Sequence, residues 1–232
     1  AGGFNLGFVP EGRRNFDEER LVTLETGVKT LFAANALSVN ASVFYSQRDE
    51  QQVRTSLQLV PGDPASFVFF TDNAATGKTL GLEADLRWIV SDSWELYANV
   101  GLLDASFDEF VAPQGDISGR SQAHAPRYTL AAGAAYRSSN GFFARLDLTA
   151  RDAFYFDVSH DQKSEAYELV NTRIGFDGGG WLVELWARNL LDERYAVRGF
   201  YFGNEPPDFP NALYTRSGDP RQVGVTIEKR FD

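Results

Sequence analysis

Apolar and polar residues alternate along most of this chain. The final stretch reads DPRQVGVTIEKRF: Val223, Val225, Ile227 and Phe231 fall on one side, Gln222, Thr226, Glu228 and Arg230 on the other. The stretch WLVELWARNLLDERY, from Trp181 to Tyr195, opens in the same way. A period of two marks a strand with one apolar and one polar face. Along the whole chain it predicts about nine strands: residues 22–32, 37–52, 67–89 (with a break near 73–77), 94–110, 127–137, 142–156, 166–176, 181–195 and 222–231. No amphipathic helix of useful length emerges.

The connections alternate in kind. Residues 33–36, 91–93, 138–141 and 178–180 are tight turns of small residues, Asn and Gly. Longer polar connections lie between them, at 53–66, 111–126, 157–165 and 196–221. Short turns at one end and long loops at the other are the habit of an antiparallel transmembrane β-barrel. The rings agree with that expectation. Phe32, Trp88, Trp94, Tyr136, Phe142, Phe143, Phe176, Trp181 and Phe231 flank the short turns. Tyr45, Phe110, Tyr128, Phe154, Phe156, Tyr167 and Tyr195 sit near the far ends. Two rows of rings with aliphatics between them predict two interfacial belts around a hydrocarbon band. A β-sandwich with scattered core rings is the alternative, and it gives no reason for the belts.

Composition narrows the picture. The chain has 232 residues, 43% of them hydrophobic, and no apolar run approaches the roughly 18 residues of a spanning helix. A mean hydropathy of −0.30 is still compatible with a barrel, whose apolar content is hidden in alternation. The net charge of −10 argues against a nucleic-acid partner. Cysteine is absent, which excludes disulfides and thiolate metal sites. Methionine is absent too, and no signal peptide opens the chain, so an exported form is expected to be processed or cut from something longer.

Three segments carry a family resemblance. Asn189-Leu190-Leu191-Asp192-Glu193-Arg194-Tyr195 resembles the NLFDxxY element near the end of TonB-dependent outer-membrane receptors. Gly218-Asp219-Pro220-Arg221-Gln222 and the strand after it are similar to their closing strand, and Asn73-Ala74-Ala75 with Gly81-Leu82-Glu83-Ala84 resembles another recurring barrel strand. One departure is that Asp232 follows Phe231, where family members commonly end on the aromatic.

The resemblance implies an all-β fold: a barrel of about 22 strands with a plugged lumen, residues 1–232 supplying its C-terminal portion without the plug. Implied partners are the missing strands and plug, the TonB complex acting through the plug, outer-membrane lipid of a Gram-negative bacterium, and a scarce-nutrient cargo, most often an iron chelate such as a ferric siderophore, with cobalamin, a saccharide or another nutrient as the alternatives. Neither a cofactor nor a catalytic residue is expected. A passive pore, a barrel enzyme and a secreted β-sandwich binding module are the rival readings. Nine strands would leave two edges of unpaired backbone in lipid, so a partner chain, an upstream segment or self-association must complete the wall.

Strand parity nominates Glu83, Asp85, Arg87, Asn99, Arg145, Asp147, Arg151, Arg173, Glu184, Arg188, Glu228 and Arg230 for the wall facing lumen and plug. Cargo is expected at the long loops. Residues 197–214 gather Arg198, Phe200, Tyr201, Phe202, Phe209 and Tyr214 among Gly203, Pro206, Pro207 and Pro210, a set suited to an aromatic, anionic metal chelate. Lesser ring clusters lie at 66–70 and 154–156. His160 stands near Asp157 and Asp161 but lacks a second His at ligand spacing, so no metal site is expected.

Overall fold

The computed structural model describes residues 1–60, 63–112 and 115–231; Asp232, with the departure it represents, lies outside them. Two short strands, β1 (Gly3–Phe4) and β2 (Asn15–Phe16), precede β3 (Arg20–Phe32), β4 (Leu37–Gln58), β5 (Phe67–Ile89), β6 (Trp94–Ala112), β7 (Gly115–Asp116), β8 (Tyr128–Arg137), β9 (Phe142–Arg151), β10 (Tyr167–Gly178), β11 (Trp181–Arg188), β12 (Ala196–Gly203), β13 (Asn211–Ser217) and β14 (Gln222–Lys229). The nine predicted strands form one antiparallel meander, in the order β3-β4-β5-β6-β8-β9-β10-β11-β14. Its two ends, β3 and β14, are not paired to each other among the described residues, so the wall is an open segment.

Tight turns set the register. Gly179 and Gly180, at φ of 60° and 74°, form the two-residue link between paired Gly178 and Trp181, a conformation that costs other residues energy. Every short turn lies at one end of the sheet, and every long connection lies at the other.

Cross-strand pairing sorts the side chains onto two faces. Val225, Leu185, Ile174, Ala144, Tyr136 and Trp94 follow one another across six strands on the apolar face. That face is uncovered: Leu146, Leu185 and Val225 expose 51, 50 and 63% of their surface. A sandwich would bury it under a second sheet, and none covers it among the described residues. The ten residues of β9, at about 3.3 Å each and tilted by about 45°, reach roughly 23 Å, close to the apolar band of about 25 Å on a transmembrane barrel. Phe32, Trp88, Trp94, Tyr136, Phe142, Phe176 and Trp181 form the ring row at the turn end, with Trp94 and Tyr136 5.0 Å apart.

Several expectations need correction. Phe143 belongs to the polar face, pressed against Gly175 on the next strand. Tyr45 and Tyr128 stand on the apolar face at the loop end, but Phe110, Phe154 and Phe156 are buried beneath the loops. The cause at Phe110 is a bulge. Gly77 pairs Phe107 and Thr76 pairs Glu109, so Asp108 is an extra residue that brings Phe107 and Phe110 to the same face. With Val53, Ala75, Ala112 and Val158 they build the described core cluster, at the loop end. Residues 53–58, expected as loop, continue β4 and pair with β5, which runs unbroken through 73–77 with register shifts there. The strands expected to end at 156 and 195 stop at Arg151 and Arg188. The connection 196–221 contains the β12–β13 hairpin.

Residues 1–19 fasten to the loop end of β4 and β5. The Asn5 side chain donates to the Thr71 carbonyl and accepts from its N–H, both at 2.8 Å. Asn73 donates to the carbonyls of Asp17 and Glu50 at 2.9 Å each, and Glu19 pairs with Arg48 at 2.7 Å.

Candidate functional site: the polar wall and its loop-end hairpin

All twelve residues nominated for the inner wall lie on the face opposite the apolar one or, for Arg230, at its end. Glu83 stands opposite Ser42 and Gly101, and Asp85 stands opposite Asn99 while accepting from Asn40 at 2.8 Å. Arg87 donates twice to Glu95, at 2.8 and 3.0 Å. Arg145 donates to both oxygens of Asp147 at 2.9 Å, and the Tyr97 hydroxyl donates to the same carboxylate. Arg173 faces Glu184 at 3.9 Å, and Arg230 bridges Asp177 at 3.0 Å and Glu228 at 3.1 Å. Arg188 and Arg151 instead lie over the rings of Trp186 and Phe154, at 5.5 and 5.7 Å.

Sequence reasoning missed Tyr97, Glu95 and Asp177, which complete these networks. Parity alone could have placed them, because they alternate in step with Asn99 and Arg173.

Rings on this face lie along the wall. A Cβ added to Gly81 would fall within the Phe44 ring; Gly133 stands in the same relation to Tyr97, and Gly224 to Trp186. Each pair is directly opposed across two strands. Aromatic side chains thus cover glycine backbone and do not project from the wall.

The connections at the loop end are tied together. Arg120, whose side chain is only 9% exposed, donates to Asp161 at 2.7 Å and to the carbonyls of His160 and Asp157 at 3.2 and 2.9 Å. Its guanidinium lies 4.6 Å from the Tyr155 ring centre, and the Lys163 ammonium is 4.0 Å from that centre. The β12–β13 hairpin docks on the segment so held. Gly199 lies against the Phe156 ring, and the His160 and Tyr201 rings meet at a tilt of 54°, 5.7 Å between centres.

The hairpin divides the six residues nominated for cargo. Arg198, Phe200, Phe202 and Tyr214 share one face, with the Phe202 and Tyr214 rings 5.3 Å apart and the Arg198 guanidinium 5.2 Å from the Phe200 ring centre. Tyr201 lies on the opposite, docked face. Phe209 falls outside both strands, in the link, at a φ of 47°. The lesser clusters differ in environment: Phe70, Phe154 and Phe156 are buried, whereas Phe69 is exposed.

The sequence family described as TonB dependent receptor-like, beta-barrel matches residues 2–190. The chain belongs to that family. Among solved structures, the ferric yersiniabactin uptake receptor FyuA from Yersinia pestis is similar at a TM-score of 0.72 and 18% identity, with 94% of this chain and 31% of that one covered. The siderophore receptor PiuA from Acinetobacter baumannii gives 0.72 and 17%, over 96% of this chain and 30% of that one. The ferric-catecholate import receptor Fiu from E. coli K12, in its closed form, gives 0.69 and 15%, over 99% and 30%. At these identities the likeness establishes the fold, and the chain spans under a third of each receptor's length. In a TonB-dependent receptor barrel, of about 22 strands, the apolar face is the outside and the polar face lines the bore. This chain is therefore part of a receptor wall and not an enzyme.

Burial of His160 holds its pKa below the imidazole's ordinary 6.5; Arg120 lowers it further, while Asp157 and Asp161 oppose the shift. A depressed imidazole pKa leaves the docked state fully favoured above about pH 6.5 and weakens it as pH falls through that value toward the folded pKa. Proteolysis of the hairpin is expected to accelerate between pH 7.5 and 5. Replacing His160 with Phe, which keeps a ring against Tyr201, is expected to flatten that dependence. Equal pH dependence in the variant would remove His160 as its source.

Proposed function

We infer that residues 1–232 form the C-terminal wall segment of a Gram-negative outer-membrane receptor that imports an iron chelate with energy supplied through TonB. The turn end faces the periplasm and the loop end the cell exterior. The rest of the wall and the plug come from the remainder of the receptor, in the same or a separate chain. The observation that carries this reading is the asymmetry of the segment. Long connections fold together only at one end, above a bore wall where Arg87, Arg145, Arg173 and Arg230 are held in ion pairs. The similar folds of the ferric yersiniabactin, siderophore and ferric-catecholate receptors support an iron complex as cargo.

Import then follows from placement. Cargo meets the Arg198, Phe200, Phe202 and Tyr214 face at the exterior. Contacts between the plug and Glu83, Asp85, Arg87, Arg145, Asp147, Arg173, Glu184, Arg188, Glu228 and Arg230 hold the bore closed until the plug is pulled. The test is growth on defined ferric chelates after deletion of the complete receptor, in cells with and without TonB. Loss of growth on at least one chelate, repeated by removal of TonB, is expected. Unchanged growth on every chelate would end the iron reading, and uptake that continues without TonB would end the energised one.

A further inference from the structure

Two arginines directly oppose each other on the undocked face of the β12–β13 hairpin. The register pairs Arg198 with Arg216, next to the pair Phe200 and Tyr214. Cβ atoms opposed across antiparallel strands are about 5 Å apart, and like charges on directly opposed residues are destabilising. Both arginines are exposed, and among the described residues neither forms an ion pair.

The bore wall treats the same problem differently. There Arg145 opposes Arg173, and each has its own carboxylate, Asp147 at 2.9 Å and Glu184 at 3.9 Å. The hairpin pair has no such answer, although the fold has fixed it in place through Gly199 on Phe156 and Tyr201 on His160.

We propose that Arg198 and Arg216 form a two-guanidinium clamp for the anionic oxygens of the cargo, while Phe200, Phe202 and Tyr214 take its aromatic part, making the receptor selective for aromatic iron chelates of net negative charge. This deepens the iron-chelate reading and rests on it. Two planar guanidinium forks match oxygen pairs such as those of catecholates and carboxylates, and the bound anion cancels the repulsion between them. The adjacent rings supply a flat apolar surface. Because the hairpin is already fastened through its other face, little ordering opposes binding. Arg216 lies beyond the ring-rich stretch of sequence, and only the strand register brings it to the site.

The experiment uses the complete receptor in cells lacking other ferric-chelate receptors. Binding of radioactive iron is measured in the cold for three probes: an anionic ferric tris-catecholate, anionic ferric citrate without rings, and a cationic ferric trihydroxamate. The tris-catecholate is expected to bind tightest. Arg198→Gln and Arg216→Gln should each weaken it about tenfold, the size of one lost charge-assisted contact, and together by about a hundredfold. The double Lys variant, which keeps the charge but loses the forks, should lie between. Heat-modifiable migration of each variant verifies a folded barrel. Wild-type affinity in Arg216→Gln, or preference for the cationic complex, would overturn the clamp and leave iron import standing. Equal weakening toward all three probes would assign the arginines to hairpin structure and also overturn it. Binding of no chelate at all would end the iron reading itself.

Discussion

Leu146→Arg is expected to destabilise the membrane-embedded receptor by about 2–4 kcal/mol, the cost of a cation on the lipid face of a barrel near the bilayer midplane. Leu146 sits near the middle of β9, between Ala134 and Thr172 on the apolar face, and exposes 51% of its surface. Directly beside it the polar group is the Thr172 hydroxyl, which already donates to the Arg145 carbonyl at 3.0 Å, so no adjacent carboxylate pairs with the guanidinium. Ala131 provides the control. It pairs with Asn99 and Thr149 on the polar wall, so Ala131→Lys puts its charge in water and should cost less than about 1 kcal/mol. Denaturant unfolding of the complete receptor in lipid vesicles measures both. Similar losses for the two variants, or a larger loss for Ala131→Lys, would mean the faces have been assigned the wrong way round.

Asn189→Ala is expected to cost about 3 kcal/mol, from three lost hydrogen bonds at a nearly buried position and a strained backbone. Asn189 is 4% exposed, with φ at 47°. Its amide donates to the carbonyls of Glu193 and Asp219 at 2.9 and 3.1 Å, and its carbonyl accepts from the Glu193 N–H at 2.8 Å. Through these bonds one side chain joins the end of β11 to its own turn and to the approach of β14. Neighbours finish the joint: Asn171 accepts from the Asn189 N–H at 2.9 Å, and Asp192 accepts from the Arg221 N–H at 3.1 Å. Tyr195 lies against Gly218, with the Tyr167 ring 4.4 Å away. The NLLDERY element is therefore a lock on the last strand pair, and no bound cargo is needed to explain it. Asn189→Gly loses the same hydrogen bonds but tolerates the positive φ, so it should be about 1 kcal/mol more stable than Asn189→Ala. Heat-modifiable migration and denaturant midpoints of the two variants would separate these contributions. An Asn189→Ala receptor as stable as the parent would show that the lock holds nothing.

Much of the candidate site was legible because one physical rule writes it into the sequence. A wall between lipid and water must alternate residue by residue, so Arg145 and Leu146, or Glu184 and Leu185, declare their faces by parity. The rule fails where the backbone stops counting by two. An extra residue at Asp108 turns Phe110 inward, where simple alternation from Phe107 points it outward. β11 ends at Arg188 because Asn189 takes a left-handed conformation, which its polar side chain makes affordable. In the hairpin, Phe200, Tyr201 and Phe202 are consecutive rings with no polar residue between them, and their division between a docked and an open face comes from packing against Phe156 and His160.

The sequence by itself determined that there are nine wall strands, the faces of their regular stretches and the end of the sheet that carries the long connections, since local alternation and turn chemistry suffice for each. Tertiary structure alone decided which rings are buried beneath the loops, how Arg120 ties two connections together, and that Arg216 stands across from Arg198. Those outcomes depend on register and on contacts between residues tens of positions apart, where the repeating contrast of lipid and water no longer dictates each side chain's direction.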